Sequence, residues 1–315
     1  MSDRVLAAAG ITDPRLQESY LACRALAAEH GRTYYLATML LPAARRPFVH
    51  ALYGFARFAD DVVDDLADTR TPAERAAALY EWGGDLFTDL KRGRSADPVR
   101  MAVVDTILRF ELAPELFEAF LDSMAMDLTV THYDTAADLD RYVYGSAEVI
   151  GLQMMPVLGA PPRSDPYARA LGYAFQLANF VRDVGEDLDR QRIYLPLDEL
   201  ALFDVTPEDL YRRQMTPQIR AALQHQAAKV RRLERFSRPG IAMIPRESRD
   251  CVEVARILYC GIVDAVADND WDVLSRRATV GQRRRLSVAV PAGLRAKVRH
   301  LTAAGRALPD PPGPG

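Results

Sequence analysis

FQLANFVRDVGEDLD, residues 175–189, decides the fold. Its apolar residues, among them Phe175, Leu177, Phe180 and Val181, belong to a longer segment that repeats such residues at three- and four-residue spacing, the period of a helix. On that helix Asn179, Asp183 and Asp187 form one i, i+4, i+8 stripe. The stripe is unfavourable in isolation, because like charges one turn apart repel and aspartate is a poor helix former. At about 6 Å and an effective dielectric near 20, two carboxylates repel by roughly 3 kcal/mol, several times any propensity term. A partly buried site of this kind needs something to offset the repulsion.

A second stretch upstream has the same character. In ALYGFARFADDVVDD, residues 51–65, Asp60 stacks on Asp64 and Asp61 on Asp65. Tyr53, Phe55, Phe58 and Val62 surround the cluster and point to burial. A hard divalent cation would offset the repulsion, and Mg²⁺, with Mn²⁺ able to stand in, takes oxygen ligands and is usually shared between carboxylates and substrate phosphate. Either segment alone reads equally well as a solvated acidic face. The two together, each with an arginine within one turn (Arg57, Arg182), fit a metal–diphosphate complex, since guanidinium pairs with phosphate oxygens. A diphosphate neutralised in this way leaves readily, and the allylic carbocation it leaves behind survives in a dry, apolar cavity.

The rest of the chain is consistent with that reading. Its 315 residues, 49% hydrophobic and 26% charged, form an ordinary globular composition able to bury a core without disulfides. A net charge of −3 gives no sign of a nucleic-acid partner. Cys23, Cys251 and Cys260 form no CxxC pair, and the histidines form no HExxH, so neither a disulfide framework nor a zinc site is expected. No apolar run reaches the length of a membrane span and the first residues do not resemble a signal peptide, so a cytoplasmic location is expected. Alternating β patterns are almost absent. Thr71, Pro72 and Glu74 read as a capping box opening a helix, and breaks are expected at 91–98, 159–166 and 238–245. The expectation is one all-α domain over residues 1–306 and a disordered Pro/Gly-rich tail over 307–315.

HGRTYYLATMLLP (30–42), LYGFARFADDVVDD (52–65), YGSAEVIGLQMMP (144–156) and FQLANFVRDVGEDLDRQRIYLP (175–196) together resemble the squalene/phytoene synthase family in order and spacing, most like its bacterial phytoene synthases of actinobacterial type. The resemblance implies a single-domain isoprenoid synthase fold, a helical bundle around a central apolar cavity with the acidic motifs facing each other across its mouth. It implies head-to-head condensation of two geranylgeranyl diphosphates, through a cyclopropylcarbinyl diphosphate, to phytoene in carotenoid biosynthesis, with Mg²⁺ and without a nicotinamide. By position, Asp60, Asp61 and Asp64 match one metal-binding motif and Asn179, Asp183 and Asp187 the other. Asp60, Asp64, Asp183 and Asp187, with Tyr53, are then the catalytic candidates. Arg57, Arg182 and Gln176 match diphosphate- and substrate-contacting positions, Tyr259 and Arg276 a pair that closes over diphosphate, and Tyr34 and Thr38 positions near the reacting carbons.

Two residues depart from the family pattern. Glu148 stands where a small residue is common; it either points away from the cavity, as expected, or places a carboxylate near the cation path, where it could serve as base for an aromatic acceptor. Gln191 stands where glycine is common, a change expected to affect only a loop. Farnesyl diphosphate as substrate, giving squalene or dehydrosqualene, keeps the same fold. A non-catalytic isoprenoid-binding protein would not need both acidic stripes. A terpene cyclase usually carries a serine-containing second motif, which ANFVRDVGED lacks. A greasy product and the basic residues Arg276, Arg277, Arg283, Arg284 and Arg285 raise peripheral contact with anionic lipid.

Overall fold

Local chemistry sets where the helices start. Asp13, Asp97, Thr135 and Thr216 each accept a hydrogen bond from the backbone N–H three residues on, and a proline follows Asp13, Asp97 and Thr216. The Thr71 capping box forms as expected: Glu74 accepts from the Thr71 N–H at 2.7 Å, and Thr71 Oγ1 accepts from the Glu74 N–H at 3.3 Å. The computed structural model describes residues 3–65, 67–279, 281–302 and 308, without the side chains of Asp3, Arg32, Asp64, 282–286 and 300–302. Its helices are α1 (Asp3–Ala8), α2 (Pro14–His30), α3 (Arg32–Thr38), α4 (Arg46–Asp64), α5 (Pro72–Arg92), α6 (Pro98–Phe110), α7 (Glu115–Met126) and α8 (Ala136–Val143). Then follow α9 (Val149–Leu158), α10 (Asp165–Asp189), α11 (Leu197–Ala201), α12 (Pro207–Tyr211), α13 (Pro217–Met243), α14 (Arg246–Cys260), α15 (Ile262–Asp268) and α16 (Gln282–Thr302). No strand occurs among the described residues; one isolated bridge joins His132 to Ile193.

Among the described residues two apolar cores result. One is built on α2, α4, α5, α6 and α7, with Tyr20, Phe48, Phe55 and Phe117 fully buried. The other gathers around α10 and α13, with Leu177, Val181, Leu223 and Val230. A π turn at Tyr144–Glu148 joins α8 to α9 and lets the chain pass close to its neighbours. A Cβ on Gly145 would stand 2.1 Å from the Ala119 carbonyl oxygen of α7, and one on Gly172 of α10 would stand 2.6 Å from that of Ala147. Only glycine permits these approaches, and they bring α7, the π turn and α10 together as one wall.

One sequence expectation changes here. The break at 238–245 comes only at its end, because α13 runs through Pro239 and Gly240 to Met243. A Cβ on Gly240 would stand 2.2 Å from Tyr167 Cβ, so helix packing rather than a turn accounts for that glycine. The tail expected at 307–315 lies outside the described residues except Leu308, which is half-buried against the first core. Gln191 lies in the turn just past α10, the loop expected, and adopts φ 58°, the left-handed region in which glycine is favoured.

Candidate active site

On α4, Tyr53, Arg57 and Asp60 recur at helical spacing and line one side of a cavity of about 790 Å³. On α10, Gln176, Asn179, Arg182, Asp183 and Asp187 line the same cavity, and Tyr259 of α14 joins them. The two acidic helices thus meet across one space. Asp61 does not line it: one residue past Asp60 turns the side chain about 100° around the helix, where it is half-exposed and engaged by Arg57. The Asp64 side chain lies outside the described residues. Arg276 is exposed and does not line the cavity; its neighbour Arg277 does.

Arginines neutralise the carboxylates at the mouth. Arg182 donates to Asp183 twice, Nε to Oδ1 at 2.7 Å and Nη2 to Oδ2 at 2.5 Å. Arg277 approaches the same carboxylate from Nε at 2.9 Å and also reaches Glu186 at 3.3 Å. Burial, together with the negative charge of Asp183, pushes the Asp187 carboxyl up to about 8. Burial likewise raises the Tyr53 hydroxyl to about 12. Arg57 Nε is buried with no hydrogen-bond partner, a donor left for an anion. Arg57, Arg182, Arg190, Arg192 and Arg277 face Asp60, Asp127, Asp183 and Asp187 around one cavity, the mixed charge that a metal–diphosphate pair requires.

Sequence reading missed a third side of this mouth. Asp127, just past α7, accepts from Tyr142 Oη at 2.7 Å and from Tyr194 Oη at 2.8 Å, while Arg192 Nη2 donates to its carbonyl at 2.7 Å. Asp127, Tyr142, Arg192 and Tyr194 all line the cavity. Two loops bring them together: the Ile193 N–H donates to the Thr131 carbonyl at 2.8 Å and that of Leu197 to Tyr133 at 3.0 Å. The left-handed Gln191 turns the chain at the end of α10 so that the Arg192 N–H returns to the Asp187 carbonyl at 2.8 Å. The order RIYLP was read as a family mark; the loop pairing that gives it a place in the site leaves no periodic signal.

Behind the polar mouth lies an apolar compartment of about 270 Å³. Ser146, Ile150, Gln176, Asn179 and Tyr259 border both spaces, so the two lie side by side. Tyr34 and Thr38 line the inner one with Met154, Leu158 and Ala255. Tyr34 Oη donates to the Val49 carbonyl at 3.1 Å, and Thr38 Oγ1 to that of Tyr34 at 2.9 Å, so both hydroxyls are satisfied within the protein. Glu148 borders neither space. Buried on the far side of the π turn, it accepts from Arg169 Nε at 2.6 Å, and the guanidinium lies over the Tyr144 ring. That orientation removes the one feature favouring an aromatic acceptor.

Asp60, Asn179, Asp183 and Asp187 supply the hard oxygen donors a divalent cation prefers, and the raised Asp187 carboxyl is the group such a cation would ionise. Among the described residues no three acidic, histidine or cysteine side chains stand together as a finished cage, since the arginines hold the carboxylates. The chain matches the family described as squalene/phytoene synthase over residues 27–284. It belongs to that family. It is 35% identical to phytoene synthase of Arthrospira platensis over 89% of this chain and 94% of the other, and 35% identical to 15-cis-phytoene synthase of Synechococcus elongatus over 90% and 95%. These squalene/phytoene synthase relatives are cyanobacterial, where the sequence alone suggested an actinobacterial type. Among solved structures the fold is similar to a ligand-bound dehydrosqualene synthase (TM-score 0.81, 25% identity, covering 90% of this chain and 98% of that one). It is also similar to squalene synthase HpnC from Alicyclobacillus acidocaldarius (0.77, 25%, covering 84% and 99%).

Proposed function

We propose that the chain is a phytoene synthase, which condenses two geranylgeranyl diphosphates head to head through a cyclopropylcarbinyl diphosphate to a forty-carbon hydrocarbon. The observation that carries this reading is a charged cavity bordered directly by an apolar compartment. Bound Mg²⁺, or Mn²⁺ in its place, shields the diphosphate charge and so eases its departure. Asp60, Asp64, Asn179, Asp183 and Asp187 are the residues to hold it. Arg57, Arg182 and Arg277 bind phosphate oxygens, Arg277 in the role that the family resemblance gives to Arg276. Gln176 and Tyr259 stand at the junction of mouth and compartment, and with Tyr53 in the mouth they orient the allylic carbon. Tyr34 and Thr38, with their hydroxyls already satisfied, offer the carbocation a wall that excludes water. No nicotinamide takes part. The product is insoluble in water, so its release is placed at a membrane that the chain touches peripherally from the cytoplasm.

The test is a product assay with purified protein, Mg²⁺ and geranylgeranyl diphosphate, without NADPH. A forty-carbon hydrocarbon with a conjugated triene is expected, and excess chelator should abolish it. Intact substrate under these conditions, with turnover of farnesyl diphosphate instead, overturns the assignment of substrate.

A further inference from the structure

The acidic end of α4 lacks what a helix end of its kind requires. Asp60, Asp61 and Asp64 crowd its last residues, Asp65 follows, and no basic residue falls in the last turn. A helix finishes in unsatisfied carbonyls that carry partial negative charge, so carboxylates gathered there are repelled by that end as well as by one another. The other acidic helix, α10, has its own remedy: Arg190 and Arg192 follow at once, and the Arg192 N–H returns to the Asp187 carbonyl. After α4 the next basic residue in sequence is Arg70, and it is taken by Asp68, Nη2 donating to Oδ2 at 2.6 Å.

The cation for α4 comes from α5. Arg75 Nη1 donates to the Val63 carbonyl at 3.1 Å, and Nη2 donates to the carbonyls of Asp65 and Asp68, both at 2.7 Å. Its Nε stands 3.5 Å from Asp68 Oδ2, and the side chain is only 15% exposed. One guanidinium thus ties the last turn of α4 to the chain that leaves it, which needs a rigid fork of several donors rather than a single charge. Val63 lies between Asp60 and Asp64 in sequence and lines the charged cavity, whereas Arg75 does not line it. Arg75 therefore acts on the backbone beneath the acidic motif and on none of its carboxylates.

The base of Arg75 is itself held. The Thr71 capping box closes the turn just ahead of it, with Glu74 as the adjoining residue. Two turns further along α5, Trp82 stacks on Phe58 of α4 at 4.2 Å, two residues before Asp60. α5 grips the motif-bearing end of α4 at both places. We propose that Arg75 is a positioning residue, which locks the last turn of α4 and so fixes the backbone from which Asp60 and Asp64 meet a divalent cation. The effect on the cation rests on the reading of those aspartates as its ligands; the locking of the turn does not.

The test pairs Mn²⁺ binding beside inorganic diphosphate, read by electron paramagnetic resonance, with amide hydrogen exchange of the full chain without metal. Arg75→Gln should weaken Mn²⁺ binding about tenfold and speed exchange at the end of α4, while amides of α10 keep the parent's rates. Arg75→Lys, which keeps the charge without the fork, should recover part of both losses. Thr216→Ala, which removes the N-cap of α13, should lower the melting temperature and leave Mn²⁺ affinity at the parent's value. An Arg75→Gln protein that melts earlier but binds Mn²⁺ like the parent has lost only a structural arginine, and overturns the proposal. Faster exchange spread evenly over the molecule does the same. If Arg75→Gln does not fold, Arg75→Lys carries both measurements, and parent values in it overturn the proposal. A parent that binds no Mn²⁺ beside diphosphate, yet shows the local exchange response, refutes the cation reading of Asp60 and Asp64 and ends the positioning role with it.

Discussion

Asp187 is the carboxylate that burial and charge work on hardest. Its carboxyl rises from an ordinary 3.8 to about 8, so the folded chain holds that proton more tightly than the unfolded chain does. The resulting stabilisation is complete below the ordinary value and is lost as pH rises through about 8. In metal-free protein the melting temperature should therefore fall over that window, and Asp187→Asn, which carries no ionisable proton there, should flatten the fall; an unchanged pH profile would contradict it. Gln191 gives a second residue-scale expectation. A side chain in the left-handed region costs about 1–2 kcal/mol, partly offset by the freedom a glycine loses on folding. Gln191→Gly should thus stabilise by about 0.5–1 kcal/mol, read as a higher urea midpoint. At this scale the sequence is legible where helical spacing operates, as in Tyr53, Arg57 and Asp60. At Arg276, which the family resemblance singles out, residues 271–279 form no helix and carry no period to fix which side chain points inward.

At the scale of elements, the capping signals at Thr71 and the apolar repeats placed the helices, because both act within a few residues. Pro239 and Gly240 look like a break by the same local logic, yet α13 continues through them because packing against Tyr167 overrides it. Asp127 and Arg192 were not legible for the opposite reason. They reach the mouth on loops paired across the molecule, and such pairing is invisible in either segment alone. The wall formed by the π turn and α10 depends on close approach: Gly172→Ala places a methyl 2.6 Å from the Ala147 carbonyl oxygen. That overpacking should destabilise by about 1–3 kcal/mol, measured by denaturant unfolding. A neutral result would mean that the π turn can yield, and that the wall is softer than its packing indicates.

For the whole molecule, capacity is set where α3, α9, α10 and α14 enclose about 270 Å³. Ala255→Phe places a ring in that space and should reduce kcat/KM for the twenty-carbon diphosphate about tenfold more than for the fifteen-carbon one. Equal losses on both substrates would show that chain length is read elsewhere. The clasp of Arg182 and Arg277 on Asp183 has a further consequence. Asp183 cannot turn to a cation without giving up two guanidiniums, and these cannot turn to a phosphate without stranding Asp183. The two ligands therefore release each other's partners, and their loading is cooperative and reciprocal. In calorimetry, inorganic diphosphate should raise the protein's affinity for the divalent cation by the same factor as the cation raises affinity for diphosphate. Equal binding of either ligand with and without the other would refute the coupling. A mouth latched in this way discriminates against bare cations and unaccompanied phosphates alike, and opens fully only to the pair.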